Sequence, residues 1–166
     1  MAKRQAVKAR KLRKKTGGPY LAAAFFCESL IEDKADGALT AVRIIDSMVV
    51  QLGPDAAPDF PSDENRLPIQ IHALLTFKSG DSPGNHAIKV VAESPSGKRQ
   101  TILEQTLPLS PPPHGGANLR VSQTIGVHKG GLFWTHVFLD GKRVTSMPLQ
   151  ISIERVASPL SNAANN

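Results

Sequence analysis

The chain has one cysteine, one tryptophan and one tyrosine, and aromatic residues make up 5% of it. A lone Cys27 excludes an intrachain disulfide, so apolar burial must hold the fold together, as suits a reducing compartment. No apolar run is long enough for a membrane-spanning helix, and no Asn-x-Ser/Thr acceptor site occurs. A Gly-x-Ser-x-Gly elbow and a P-loop are both missing. Ser96-Gly97-Lys98-Arg99 lacks the first glycine of a phosphate-binding loop. The histidines His72, His86, His114, His128 and His136 do not stand at ligand spacing from another His, Cys or acid. Cys27 falls mid-strand, where a cysteine is a small inert hydrophobe, and the acids are scattered. The sequence therefore gives no reason to expect a metal, a cofactor or an enzyme.

Acidic residues are absent from the first fifteen positions, which carry Lys3, Arg4, Lys8, Arg10, Lys11, Arg13, Lys14 and Lys15. From Thr16 onward, twelve Lys or Arg face fourteen Asp or Glu, a net of −2, so the formal +6 belongs to an arm. Val7 and Leu12 are too few to give that arm an apolar stripe, and like charges keep it solvated. The eight cations suit weak, non-specific contact with nucleic acid or another polyanion, with a log–log salt slope of about −0.9 per phosphate met. No aromatic residue of the arm is available for base stacking. An anionic membrane surface is a weaker reading, since apolar anchors are missing. An inert, solubilising arm or a misassigned start is the plain alternative. Leu21 to Cys27 is too short for a signal-peptide core; Pro19 separates it from the charges and Glu28 follows directly. It reads as a strand, and the expected location is cytoplasmic.

What the chain does have is punctuation. Thirteen Pro and thirteen Gly cluster between apolar runs. Tyr20 to Ile31 and Ala38 to Leu52 flank a turn ending in Asp36-Gly37, which predicts a hairpin. Gly53 to Pro68 reads as a crossover loop. Ile69 to Phe77 alternates, and Ser79 to Gly84 is a turn. Ala87 to Ala92 and Gln100 to Leu107 flank Ser94-Pro95-Ser96-Gly97, a second hairpin. Leu109 to Gly116 is too rich in Pro and Gly for regular structure and reads as a stiff connection; a polyproline ligand is the weaker alternative. Leu119 to Val127 is a strand. Leu132 to Leu139, Asp140-Gly141 and Arg143 to Val156 form a last hairpin, with a break expected near Pro148. Eight or nine strands at this spacing predict one all-β domain, an antiparallel, immunoglobulin-like β-sandwich over residues 19–156. A disordered basic arm (1–18) and a disordered tail (157–166) flank it.

Two constellations stand out. A four-residue turn sets Glu28 opposite Arg43, a structural ion pair across the first hairpin. Trp134, His136 and Phe138 share one face of a strand whose other face, Phe133 to Leu139, is also apolar. A two-residue turn brings Phe138 opposite Arg143 in cation–π reach. Either a loop or the arm covers that face, or it is a surface for a protein partner or a second copy.

The residues Phe26-Cys27-Glu28, Asp36-Gly37, Arg43-Ile44-Ile45-Asp46, Gly131 to Gly141 and Pro148-Leu149 carry a resemblance. Over roughly residues 20–156 the chain is similar to a family of small, uncharacterised bacterial β-sandwich proteins. That resemblance implies the fold and no activity. The function expected is a non-enzymatic interaction module that binds a protein partner or self-associates through a sandwich face or its long loops. The alternative is a coat-like assembly protein whose arm contacts nucleic acid.

Overall fold

The computed structural model describes residues 17–112 and 115–156. The arm's eight cations, His114 and the tail lie outside those residues. The described chain is all-β, with nine strands: β1 (Tyr20–Glu32), β2 (Leu39–Ile45), β3 (Ser47–Leu52), β4 (Leu67–Lys78), β5 (Gly84–Glu93), β6 (Arg99–Leu109), β7 (Gly116–Val127), β8 (Gly131–Leu139) and β9 (Lys142–Arg155). They form a four-stranded sheet, β2-β1-β4-β7, and a five-stranded sheet, β3-β9-β8-β5-β6. Phe26, Leu75 and Phe77 from the first layer share one core with Ile88, Val137, Leu149 and Ile151 from the second.

Turn chemistry sets the hairpins. Asp33 donates its N–H to the Ala38 carbonyl (2.8 Å), and Gly37 closes the loop at φ 72°. Ser94 bonds the Lys98 carbonyl at the β5–β6 tip (2.9 Å). Asp140 and Gly141 both have positive φ, 49° and 76°, the pair of values a type I′ turn demands.

The antiparallel expectation needs one correction. Ala38 to Leu52 is not a single strand; it divides at Asp46 between the two sheets. Past Ile45, the last β2 residue paired with β1, the chain crosses over, and the Asp46 carbonyl accepts the Gln150 N–H (2.9 Å). β3 then runs parallel to β9, from Ser47 opposite Gln150 to Leu52 opposite Arg155, so the second sheet is mixed. Met48 and Val50 pack against the common core and Leu52 is buried, which the crossing makes possible.

The break expected near Pro148 does not occur, because β9 is continuous. Proline lacks a ladder donor and tolerates only an edge. Pairing to β3 starts at Gln150, so Pro148 sits where β9 has β8 on one side alone.

The first hairpin is not flat. β1 pairs with β4 only as far as Cys27 opposite His72. The β1–β2 ladder skips the Glu28–Arg43 position, where Arg43 has φ 49°. Beyond it, Glu32 accepts a hydrogen bond from Arg120 on the outward side of β7. In a flat sheet Glu32 would be level with Leu67, while Arg120 is level with Leu74. Seven residues at about 3.3 Å each would separate them. The hairpin therefore curls over the outer face of the first sheet. Cys27 is accordingly 0% exposed although its side chain points away from the core, and burial pushes its thiol pKa up.

Candidate ligand cleft

β6 and β7 are edge strands of their respective sheets, and they lie on the same side of the sandwich. No ladder joins them, so the gap between the layers opens there. The result is a cleft of about 530 Å³. Its walls include Ile71 and Ile125 from the first sheet and Ile102, Phe133 and Leu149 from the second. The β5–β6 tip, the segment from His128 to Gly130, Asp63 and Arg66 of the crossover loop, and Trp134 also line it.

Two polar side chains enter this apolar space. On β7 the inward positions are Val121, Gln123, Ile125 and Val127, and the core residues Val121 and Val127 fix that register. Gln123 is thus an amide where the pattern calls for a hydrocarbon. On β8 the inward positions are Phe133, Thr135 and Val137, and Thr135 is 4% exposed. Both residues line the cleft and also the narrow space behind it, which has no room for a water molecule. Gln123 Oε1 is buried and has no hydrogen-bond partner. A buried acceptor left unpaired costs about 1–3 kcal/mol.

Charged groups gather on the solvent side. Arg66 Nη2 meets Asp63 Oδ1 at 2.8 Å, and His128 Nδ1 meets the same oxygen at 3.5 Å. Lys98 and Lys129 also line the cleft and are exposed. Among the described residues neither lysine has an ion-pair partner.

The Trp134 face lies alongside. Trp134, His136 and Phe138 do share the outward side of β8, since Thr135, Val137 and Leu139 are buried on the other. This face is not an open apolar patch. His136 is 8% exposed, and Trp134 and Phe138 are half-buried. Trp134 stacks on His136 with ring planes 5° apart and centroids at 6.4 Å. His136 Nε2 lies 3.2 Å from Glu93 Oε2, and its Nδ1 2.8 Å from Ser146 Oγ. Donation from Nε2 to the carboxylate leaves Nδ1 to accept from the serine hydroxyl. Arg99 and then His136, both hydrogen-bonded to Glu93, hold its carboxyl below the usual carboxylate range. Phe138 is the register partner of Arg143 across the final hairpin. Among the described residues the aromatic contact that forms is Trp134 on His136.

Arg43 Nη1 lies 3.3 Å from Glu28 Oε2, with both side chains more than half exposed. His86 links two loops: its Nδ1 is 2.8 Å from Asp140 Oδ2 and its Nε2 is 2.9 Å from the Ser82 carbonyl. Both neighbours are acceptors, so both bonds form only with the doubly protonated ring. That contact with His86 is the main cause that lowers the Asp140 carboxyl pKa. Among the described residues no cluster of three or more His, Cys, Asp or Glu could hold a metal, and no helix is long and apolar enough to cross a membrane.

Sequence reasoning missed the cleft. The available signal was Gln123, a polar side chain in an otherwise apolar alternation, and Thr135 repeats it on β8 of the other sheet.

No protein-family description matches the chain, and no curated protein does. Among solved structures it is similar to the alkylpurine DNA glycosylase AlkC of Pseudomonas fluorescens, bound to DNA containing an abasic site analog. Identity is 16%, coverage is 78% of this chain and 30% of that one, and the TM-score is 0.40. It is likewise similar to a β-glucosidase from Listeria innocua in complex with glucose. There identity is 12%, coverage is 83% of this chain and 17% of that one, and the TM-score is 0.42. The chain thus spans under a third of each of these proteins, and likeness at this level carries no functional argument.

Proposed function

We propose that the chain is a non-enzymatic binding module, immunoglobulin-like and cytoplasmic, that takes its ligand at the loop end of the sandwich. The observation that carries this reading is the inter-sheet cleft, whose size is that of ligand sites and which joins an apolar interior to a polar, charged mouth. The ionisable groups beside it support binding over catalysis. Asp63 is engaged by Arg66 and His128, and Glu93 is held ionised by Arg99 and His136. Saturable, one-to-one binding of anilinonaphthalene sulfonate to the full chain tests it. Ile102→Trp, which fills the cleft from β6, should abolish that binding with an unchanged melting temperature. Equal binding by the variant would refute the reading.

Self-association through the outer face of the five-stranded sheet is the second reading. Val49 (57% exposed) and Leu132 (39%) favour it, because both stand on the outward side of the sheet that carries Trp134. Sizing chromatography decides it. A monomer that Leu132→Ser leaves unchanged would end it. Polyanion contact through residues 3–15 is proposed as a separable property. A chain lacking residues 1–15 should keep its melting temperature and lose any salt-sensitive nucleic-acid binding.

A further inference from the structure

From the orphaned acceptor on a residue that lines the cleft and the unpaired cations at its mouth, we infer the chemical class of the ligand: a flat apolar ring compound with one hydroxyl or N–H at its inner end and an anionic group at its outer end. This rests on the reading of the cleft as a binding site.

The inner end follows from Gln123. Gln123 lines the cleft together with Ile71, Ile125 and Phe133, and its Oε1 is buried without a partner. Only a donor satisfies a carbonyl oxygen. A ligand that delivers an O–H or N–H there removes an existing penalty, so the gain is larger than for the same bond formed in water. Thr135, inward on β8 of the other sheet, adds a hydroxyl that either donates or accepts. The space between the polar pair and the opening is bounded by sheet side chains on both faces. A slot between two layers suits a planar ring system better than a branched chain.

The outer end follows from charge. Arg66 and Asp63 neutralise each other, and Arg99 does the same for Glu93. Lys98 and Lys129 remain, and both line the opening. The sequence from Thr16 onward is acidic overall, yet this mouth carries uncompensated positive charge, which attracts an anion and repels a cation.

6-Hydroxy-2-naphthoate has both ends on one rigid frame. 2-Naphthoate lacks the donor, and 2-naphthol lacks the anion. Calorimetric titration of the full chain should rank 6-hydroxy-2-naphthoate first, with about a tenfold loss of affinity for 2-naphthoate. The loss for 2-naphthol should shrink as salt rises, because mobile ions screen the mouth. Gln123→Leu keeps the side-chain size and deletes the amide. It should bind the two naphthoates equally and melt higher than the parent chain when unliganded. Lys98→Ala with Lys129→Ala should remove the preference for the carboxylate and keep that for the hydroxyl. Equal affinity of the parent chain for both naphthoates, or a hydroxyl preference that survives Gln123→Leu, overturns this inference and leaves the binding module standing. Absence of saturable binding by all three probes overturns both.

Discussion

Glu32, at the far end of the β1–β2 hairpin, accepts a hydrogen bond from Arg120 on β7, a strand with which β1 shares no ladder. That bond ties down the curled hairpin above Cys27. Both side chains are about half exposed, so the pair contributes about 0.2–1 kcal/mol at most. Its effect on access is larger than its effect on stability. The native thiol should react with Ellman's reagent at least about tenfold more slowly than the unfolded one, being both buried and held in its protonated form. Glu32→Ala should raise that rate several-fold with a small change in melting temperature. A thiol as reactive as free cysteine in the parent chain would show that the hairpin does not cover it.

The Asp140–His86 contact predicts acid lability. The folded-state pKa of Asp140 is depressed, so the unfolded chain binds more protons in acid. The stabilisation is complete above the ordinary carboxylate pKa and is lost as pH falls through and below it. Asp140→Asn keeps a residue that tolerates positive φ and removes the charge. Urea denaturation from pH 7 to pH 2 should show a shallower loss of stability in this variant. Identical pH profiles would exclude the contact as a source of acid sensitivity.

His136 is placed by Trp134, Glu93 and Ser146 together. His136→Ala leaves Ser146 Oγ without its partner, leaves Glu93 to Arg99 alone, and removes the ring on which Trp134 stacks. We expect about 2 kcal/mol of destabilisation and a red shift of the sole tryptophan's emission. Ser146→Ala should cost about 1 kcal/mol, with little spectral change.

Two glycines of positive φ should respond differently. A Cβ on Gly97 (φ 80°) meets nothing within 4 Å, so Gly97→Ala costs only backbone strain, about 1 kcal/mol. A Cβ on Gly80 (φ 53°) would stand 2.1 Å from the Gly17 carbonyl oxygen. Gly80→Ala must move the backbone as well and should cost at least about twice as much. Paired thermal melts compare them directly.

The hairpins were legible because their turns are written locally. Asp140-Gly141 supplies positive φ in two consecutive letters, Gly37 supplies it after Asp36, and the alternation of Ile69 to Phe77 states which side is buried. The division of Ala38 to Leu52 was not legible. Ile45-Asp46-Ser47 contains neither Gly nor Pro, and the partner that draws β3 away lies in another part of the chain. The cleft was hidden for the same reason. Gln123 and Thr135 are unremarkable apart, and only the packing of the two sheets makes them line one space. The Trp134 row was visible as a face, but the residues that occupy it, Glu93 and Ser146, come from β5 and β9.

The parallel pairing of β3 with β9 also has a meaning in time. Ser47 waits for Gln150, which follows it by about a hundred residues. A ribosome adding about 5–20 residues per second leaves Met48, Val50 and Leu52 without their partner strand for several seconds or more. During that interval β3 is an apolar strand with an open edge, the kind of surface to which chaperones and other nascent chains adhere. Closing so wide a loop is slow after dilution from denaturant as well. The yield of folded protein therefore depends on what shelters residues 47–52 until β9 arrives.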